Sequence, residues 1–205
     1  MNDKSRIHWI TRTAIFIALL IAMQTATAPL GNIILTGSIV NLLLIVSVMT
    51  CGLASGLSVA MVSPIMAKLL GIGPLWSIIP FLIAGNMTLV LLWHFVGNRN
   101  MGRKYAAYNA TTKGTEAYGI STTDKKGQYM SYIVALISAS VAKFLVLYIG
   151  IVRIAIPVFL GLPYSQAAVV SNMFSIPQLV TAIVGGIVAI ALLPTLKKAI
   201  RERRE

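Results

Sequence analysis

The sequence predicts an all-α integral membrane protein, a six-transmembrane-helix bundle with both termini in the cytoplasm. Three observations predict it. Of 205 residues, 57% are hydrophobic and 11% charged, with a mean hydropathy of +0.84; a soluble domain of this size has no interior able to take up that much apolar surface. Several apolar stretches reach the roughly 20 residues that cross a hydrocarbon core. Most of the basic residues gather in three clusters outside those stretches, so the net charge of +12 reads as orientation in a bilayer and not as nucleic-acid binding.

The chain reads as one membrane domain, residues 1–205. The first helix covers about 9–28 and stops at Pro29 and Gly31. Its apolar run is long enough to be a span, so it is read as the first crossing although Ala-x-Ala occurs at 26–28. The second covers about 35–51 and the third about 53–71, broken by Gly-Ile-Gly-Pro at 71–74. The fourth covers about 75–96. Residues 97–128, rich in Gly, Thr, Tyr, Asn and Lys, read as a cytoplasmic polar loop. The fifth covers about 129–151 and can run on towards Pro157. A Gly-Leu-Pro-Tyr turn at 161–164 precedes the sixth, about 172–193, with Pro177 near its start and Pro194 near its end.

Six spans place fourteen of the 17 basic residues on one side: those before the first helix, those in 97–128 and those after residue 193. The opposite loops receive only Arg153. By the positive-inside rule the basic side is the cytoplasm; an odd number of spans would scatter the clusters. Cys51 is the only cysteine, so no internal disulfide forms. No Gly-x-x-x-x-Gly-Lys-Ser/Thr loop occurs, and ATP hydrolysis by that route is excluded.

Two lysines, Lys68 and Lys143, lie within apolar segments. The acids Asp3, Glu116, Asp124, Glu202 and Glu205 all lie in termini or the polar loop. A cation in the hydrocarbon zone costs about 2.5–3.5 kcal/mol on insertion scales and pairs with something, which points to an anionic ligand. Orientation gives each polar residue a depth. Gln24, Asn41, Lys68, Asn86, Lys143 and Gln178, one from each helix, fall in or near the outer half, where one pocket can be shared. Each amide alone is equally an interhelical hydrogen bond, and Lys68 is shallow enough to snorkel. Trp76, with Tyr148 and Tyr164, is placed at the outer belt or the mouth of the pocket. Trp9 and Trp93 are assigned to the inner aromatic belt, with His94 at the inner edge.

Small residues mark two helices. Ala14, Ala18, Ala22 and Ala26 recur every four residues on the first, close to one face. Such a face is either internal packing or a docking surface for another membrane protein. Gly185 and Gly186, with Ala182 and Ala189, form a second close-approach surface on the sixth helix.

With these residues in view, the chain resembles the substrate-binding S-components of energy-coupling factor (ECF) vitamin transporters of prokaryotes. The resemblance covers nearly the whole chain and rests on length, helix count, the Ala14-x-x-x-Ala18-x-x-x-Ala22 stripe, and the segments Thr-Gly-Ser-Ile-Val-Asn (36–41), Pro-Phe-Leu-Ile-Ala-Gly-Asn (80–86), Ala-Lys-Phe (142–144) and Phe-Ser-Ile-Pro-Gln-Leu-Val-Thr (174–181). It implies a multi-pass cell-membrane protein that captures a vitamin from outside. It also implies that the subunit topples on docking its alanine stripe against a transmembrane coupling subunit, which carries two ATPases. It implies no cofactor and no enzymatic activity of the chain's own. The lysines favour an anionic vitamin, pantothenate first, with folate, biotin, nicotinate or a pyrimidine precursor as further candidates. The competing reading is a stand-alone secondary transporter or channel; the absence of a membrane-embedded acid argues against proton coupling. A membrane enzyme is disfavoured, because no carboxylate pair, His–Ser–Asp set or metal cluster shares a depth.

Overall fold

A computed structural model describes residues 3–72, 75–99 and 125–202. The expectations for residues 100–124, including Arg103, Lys104 and Lys113, and for Pro74, Arg203 and Arg204 lie outside the described residues. Among the described residues every regular element is a helix.

Helix α1 (Asp3–Thr27) ends in a 3-10 turn, Ala28–Leu30, where Pro29 can no longer donate to the preceding turn. Gly31 then takes the left-handed conformation at φ +61°, open to glycine without steric cost. Helix α2 (Ile33–Cys51) starts at Asn32, whose side-chain oxygen accepts the Leu35 N–H at 3.1 Å as an N-cap. Gly52 turns the chain directly into α3 (Leu53–Leu69). A 3-10 turn, Trp76–Ile78, leads into α4 (Ile79–Leu92), which carries on as a π-helical stretch, Trp93–Gly97. Helix α5 (Lys125–Leu147) likewise continues as a π-helix, Tyr148–Leu160, containing Pro157. Then come α6 (Tyr164–Met173) and α7 (Ile176–Glu202).

Five segments are long and apolar enough to cross a membrane: Trp9–Leu30, Ile33–Cys51, Trp76–Gly97, Gly127–Leu160 and Tyr164–Ile200. Helix α3 is apolar but shorter, at 17 residues.

Several boundaries differ from the sequence reading, beginning with α1, which starts at Asp3 and not near residue 9. Helix α5 begins at Lys125, where Tyr132 is held by Gln128 Nε2 at 2.8 Å and Lys197 Nζ at 3.1 Å. The stretch before the sixth helix is itself helical, as α6, and breaks at Phe174–Ser175 because Pro177 sits in the first turn of α7. Helix α7 runs through Pro194 to Glu202; Leu193 is buried and Leu196 packs on the core, and packing on both sides of the proline outweighs one lost backbone bond.

The main core is centred on α2, which touches α1, α3, α4 and α7. Its fully buried side chains include Leu44, Ile45, Leu89, Val90 and Leu193. Trp93 corrects an expectation: it does not point outward as a belt residue does but is wholly buried inside the bundle, its ring 6.2 Å from that of Tyr132. Glycine makes the room, since a Cβ on Gly97 would stand 3.3 Å from Trp93 Cε3. A smaller core of Ile78, Leu147, Ile151 and Phe174 joins α6 and the π-helical end of α5 to the start of α4.

Candidate functional site

Lys143 is the centre of a polar cluster made by four helices. Its side chain is 3% exposed, and Nζ donates to Asn41 Oδ1 at 2.5 Å and to Asn86 Oδ1 at 2.8 Å. Asn41 Nδ2 donates in turn to Thr181 Oγ1 at 3.2 Å, and the Thr181 hydroxyl donates to the Gln178 carbonyl at 3.0 Å. Helices α5, α2, α4 and α7 are thereby tied together at one level. The sequence points to an anion as the partner of Lys143; two amide oxygens of the chain take that place. They solvate the ammonium without neutralising it, and among the described residues the only ion pair is Lys198–Glu202 on the surface. A buried cation with amide partners avoids the full cost of an unpaired charge but retains its field.

Above this cluster, towards the end of the bundle where α1 gives way to α2, lies a cavity of about 310 Å³. Gln24 from α1, Asn32, Thr36 and Gly37 around the start of α2, Ala67 from α3 and Phe174 with Gln178 near the start of α7 line it. A shallower hollow of about 520 Å³ shares Gly31, Asn32, Ile33 and Met173 with it and adds Asn172 and Pro177. Gln178 joins cavity and cluster: its side chain lines the first and its backbone carbonyl ends the Lys143–Asn41–Thr181 chain. Thr181 also packs directly beneath the cavity wall, 2.8 Å from where a Gly37 Cβ would sit.

The predicted site residues therefore separate into three groups. Asn41, Asn86 and Lys143 meet in a closed cluster. Gln24 and Gln178 face the cavity. Lys68 is half-buried and Trp76 is 58% exposed, and neither lines the cavity. Tyr164, at 91% exposure, does not line it either; Tyr148 stacks on Phe144 at 5.7 Å and carries Arg153 over its ring at 5.8 Å. The single shared pocket foreseen from depth is replaced by two adjoining layers, because equal depth does not make side chains face the same way. Thr181, Thr36 and Asn32 were missed. The signal for Thr181 was its place three residues after Gln178, one turn along the same helix face.

Gln24 is 5% exposed. Its Nε2 reaches Ser63 Oγ at 3.4 Å, while its Oε1 has no hydrogen-bond partner. The buried side of α1 is otherwise Leu20, Thr13 and Thr27, with Thr13 hydrogen-bonded to Ser55 of α3 and Thr27 accepting from Thr36 of α2 at 2.9 Å. On the other side of α1, Ala14, Ala18, Ala22 and Ala26 are all exposed. Of the two readings of that stripe, internal packing within this chain is not the one adopted. The Gly185–Gly186 surface, by contrast, is used internally, with Ala182 and Ala189 fully buried.

No protein-family model, curated protein or solved structure matches the chain.

Proposed function

We propose that this protein is the substrate-binding membrane subunit of an ECF-type importer for a small, water-soluble, anionic vitamin. In this reading it crosses the membrane six times, with α3 as the sixth crossing. Seventeen residues at about 1.5 Å each give a helix slightly shorter than a typical hydrocarbon core, a mismatch that local thinning absorbs. Six crossings put both termini and residues 97–128 in the cytoplasm, and the cavity then opens to the outside.

The observation that carries the reading is Lys143: a buried amino group, partnered only by neutral amides and linked through Asn41 and Thr181 to Gln178, which lines a cavity of about 310 Å³. That volume is at the small end of ligand pockets, which run from about 300 to 1,000 Å³. An anion in the cavity would favour the protonated form of Lys143 and gain from its charge in turn, in surroundings where screening is weak. Pantothenate is the first candidate. The exposed alanine face of α1 supports the second half of the proposal, docking against a transmembrane coupling subunit whose two ATPases supply the energy. Small residues allow the close helix approach that such docking needs.

Two measurements test this. Affinity purification of the full chain from its native membrane should bring down a coupling subunit and two ATPases; ion-gradient-driven uptake by the lone chain in liposomes would overturn the proposal in favour of a secondary transporter. Lys143→Ala should weaken binding of the carboxylate ligand at least tenfold, and unchanged affinity would remove Lys143 from the site.

A further inference from the structure

Four buried side-chain polar atoms among the described residues have no hydrogen-bond partner, Gln24 Oε1, Ser38 Oγ, Trp93 Nε1 and Ser140 Oγ, and of these residues Gln24 alone lines the cavity. Gln24 Oε1 is buried without a hydrogen-bond partner, on a side chain that lines the cavity and is 5% exposed. Buried polar atoms are nearly always paired, so an exception calls for a reason. Two neighbouring hydroxyls are committed elsewhere. The Thr36 hydroxyl donates to Thr27 Oγ1 at 2.9 Å, and the Thr27 hydroxyl donates to the Met23 carbonyl at 2.8 Å. Across the cavity, Gln178 Nε2 is directed to the Met173 carbonyl at 3.4 Å. Gln24's own Nε2 points to Ser63 Oγ, which leaves the carbonyl end turned away from that contact.

We propose that Gln24 is a specificity-determining residue whose side-chain oxygen receives an N–H or O–H donor of the ligand. The inference rests on the cavity being the ligand site. It narrows the substrate class to molecules that combine an anionic group with a neutral donor, such as a secondary amide or a hydroxyl. Ionised carboxylates without such a donor would leave Oε1 unpaired in the complex, and a site built to pair a donor discriminates strongly against a ligand lacking one.

The test compares wild type and Gln24→Met in nanodiscs, with pantothenate (one amide N–H, two hydroxyls) and nicotinate (no donor when ionised) as probes. Pantothenate is expected to raise the melting midpoint of wild type, to bind Gln24→Met at least tenfold more weakly, and to bind wild type more tightly than nicotinate does. Without ligand, Gln24→Met should melt at or above wild type, since the unpaired oxygen has gone, and Ser63→Ala should melt close to wild type. Equal pantothenate affinity in wild type and Gln24→Met overturns the inference. So does a fall of several degrees in the unliganded Gln24→Met midpoint that Ser63→Ala reproduces, which would make Gln24 a structural link to α3. Should neither acid bind wild type, it is the choice of vitamin that fails. Gln24 is then judged by mass spectrometry of the small molecules that wild type and Gln24→Met retain from rich medium. A donor-bearing molecule lost from Gln24→Met upholds the role, and equal retention, or a retained molecule with no donor, overturns it.

Discussion

Two helix faces in this protein are built from the same small residues and meet opposite fates. On α7, Ala182, Gly185, Gly186 and Ala189 are pressed into the bundle: a Cβ on Gly185 would come within 2.5 Å of the Ser38 carbonyl oxygen, and one on Gly186 within 2.2 Å of Leu136 Cδ1. On α1, Ala14, Ala18, Ala22 and Ala26 are exposed. In lipid there is no hydrophobic gain from bringing two apolar helices together; close backbone approach and interhelical hydrogen bonds do that work. The α7 face has both, with Asn41 of α2 bonding Thr181 beside the glycines. The α1 helix also spends its hydroxyls and Gln24 on contacts with α2 and α3, but it does so on the side opposite the alanines. The difference teaches that a small-residue stripe records a capacity for close packing, and only the polar groups beside it say whether the capacity is used within the chain.

That comparison can be broken at its strongest point first. Gly185→Ala should destabilise the fold by about 2–3 kcal/mol, the upper part of the range for overpacking, because the new methyl meets backbone that cannot yield; thermal unfolding in detergent reads this directly. An unchanged midpoint would mean that α2 and α7 are not in close contact. Gly186→Ala should cost less, about 1 kcal/mol, since the obstructing atom is the end of the Leu136 side chain, which can change rotamer. Least of all, Ala18→Trp should leave the melting midpoint of the isolated chain within the scatter of a surface substitution, about 0.5 kcal/mol. Ligand binding should survive in that variant while transport and co-purification with the coupling subunit are abolished. Normal uptake would assign the alanine face to lipid alone.

The polar groups divide along the same lines. Lys143 and its two asparagines close on one another, whereas Gln24 keeps one atom unpaired at a cavity wall. Substituting Asn41 by Leu removes one acceptor from a buried ammonium and one donor from Thr181. Loss of a hydrogen bond to a buried charged group typically costs about 1.5–3 kcal/mol, so Asn41→Leu is expected to lower stability more than Gln24→Met, and equal midpoints for the two would refute the distinction between closed cluster and open cavity.

By itself, the sequence determined where the long apolar helical runs lie, where Pro29, Gly31, Gly71 and Gly161 interrupt them, which faces are small, and at what level along each helix a polar residue stands. Those properties follow from run length, backbone conformational limits and rise per residue, all of them local. The tertiary structure decided the rotation of each helix about its own axis. A span that is apolar on every side carries no amphipathic stripe to announce which side turns inward. Hence Asn41, Asn86 and Lys143 could be given a common level but not a mutual contact, Trp93 was read as interfacial although it is buried, and the two small-residue faces were indistinguishable until their neighbours were known. Rotation is set by hydrogen bonds and close contacts between residues distant in the chain, such as Lys143 to Asn41 and Gly185 to Ser38. It also decided that the buried ammonium and the free Gln24 oxygen lie in adjoining layers and not in one pocket.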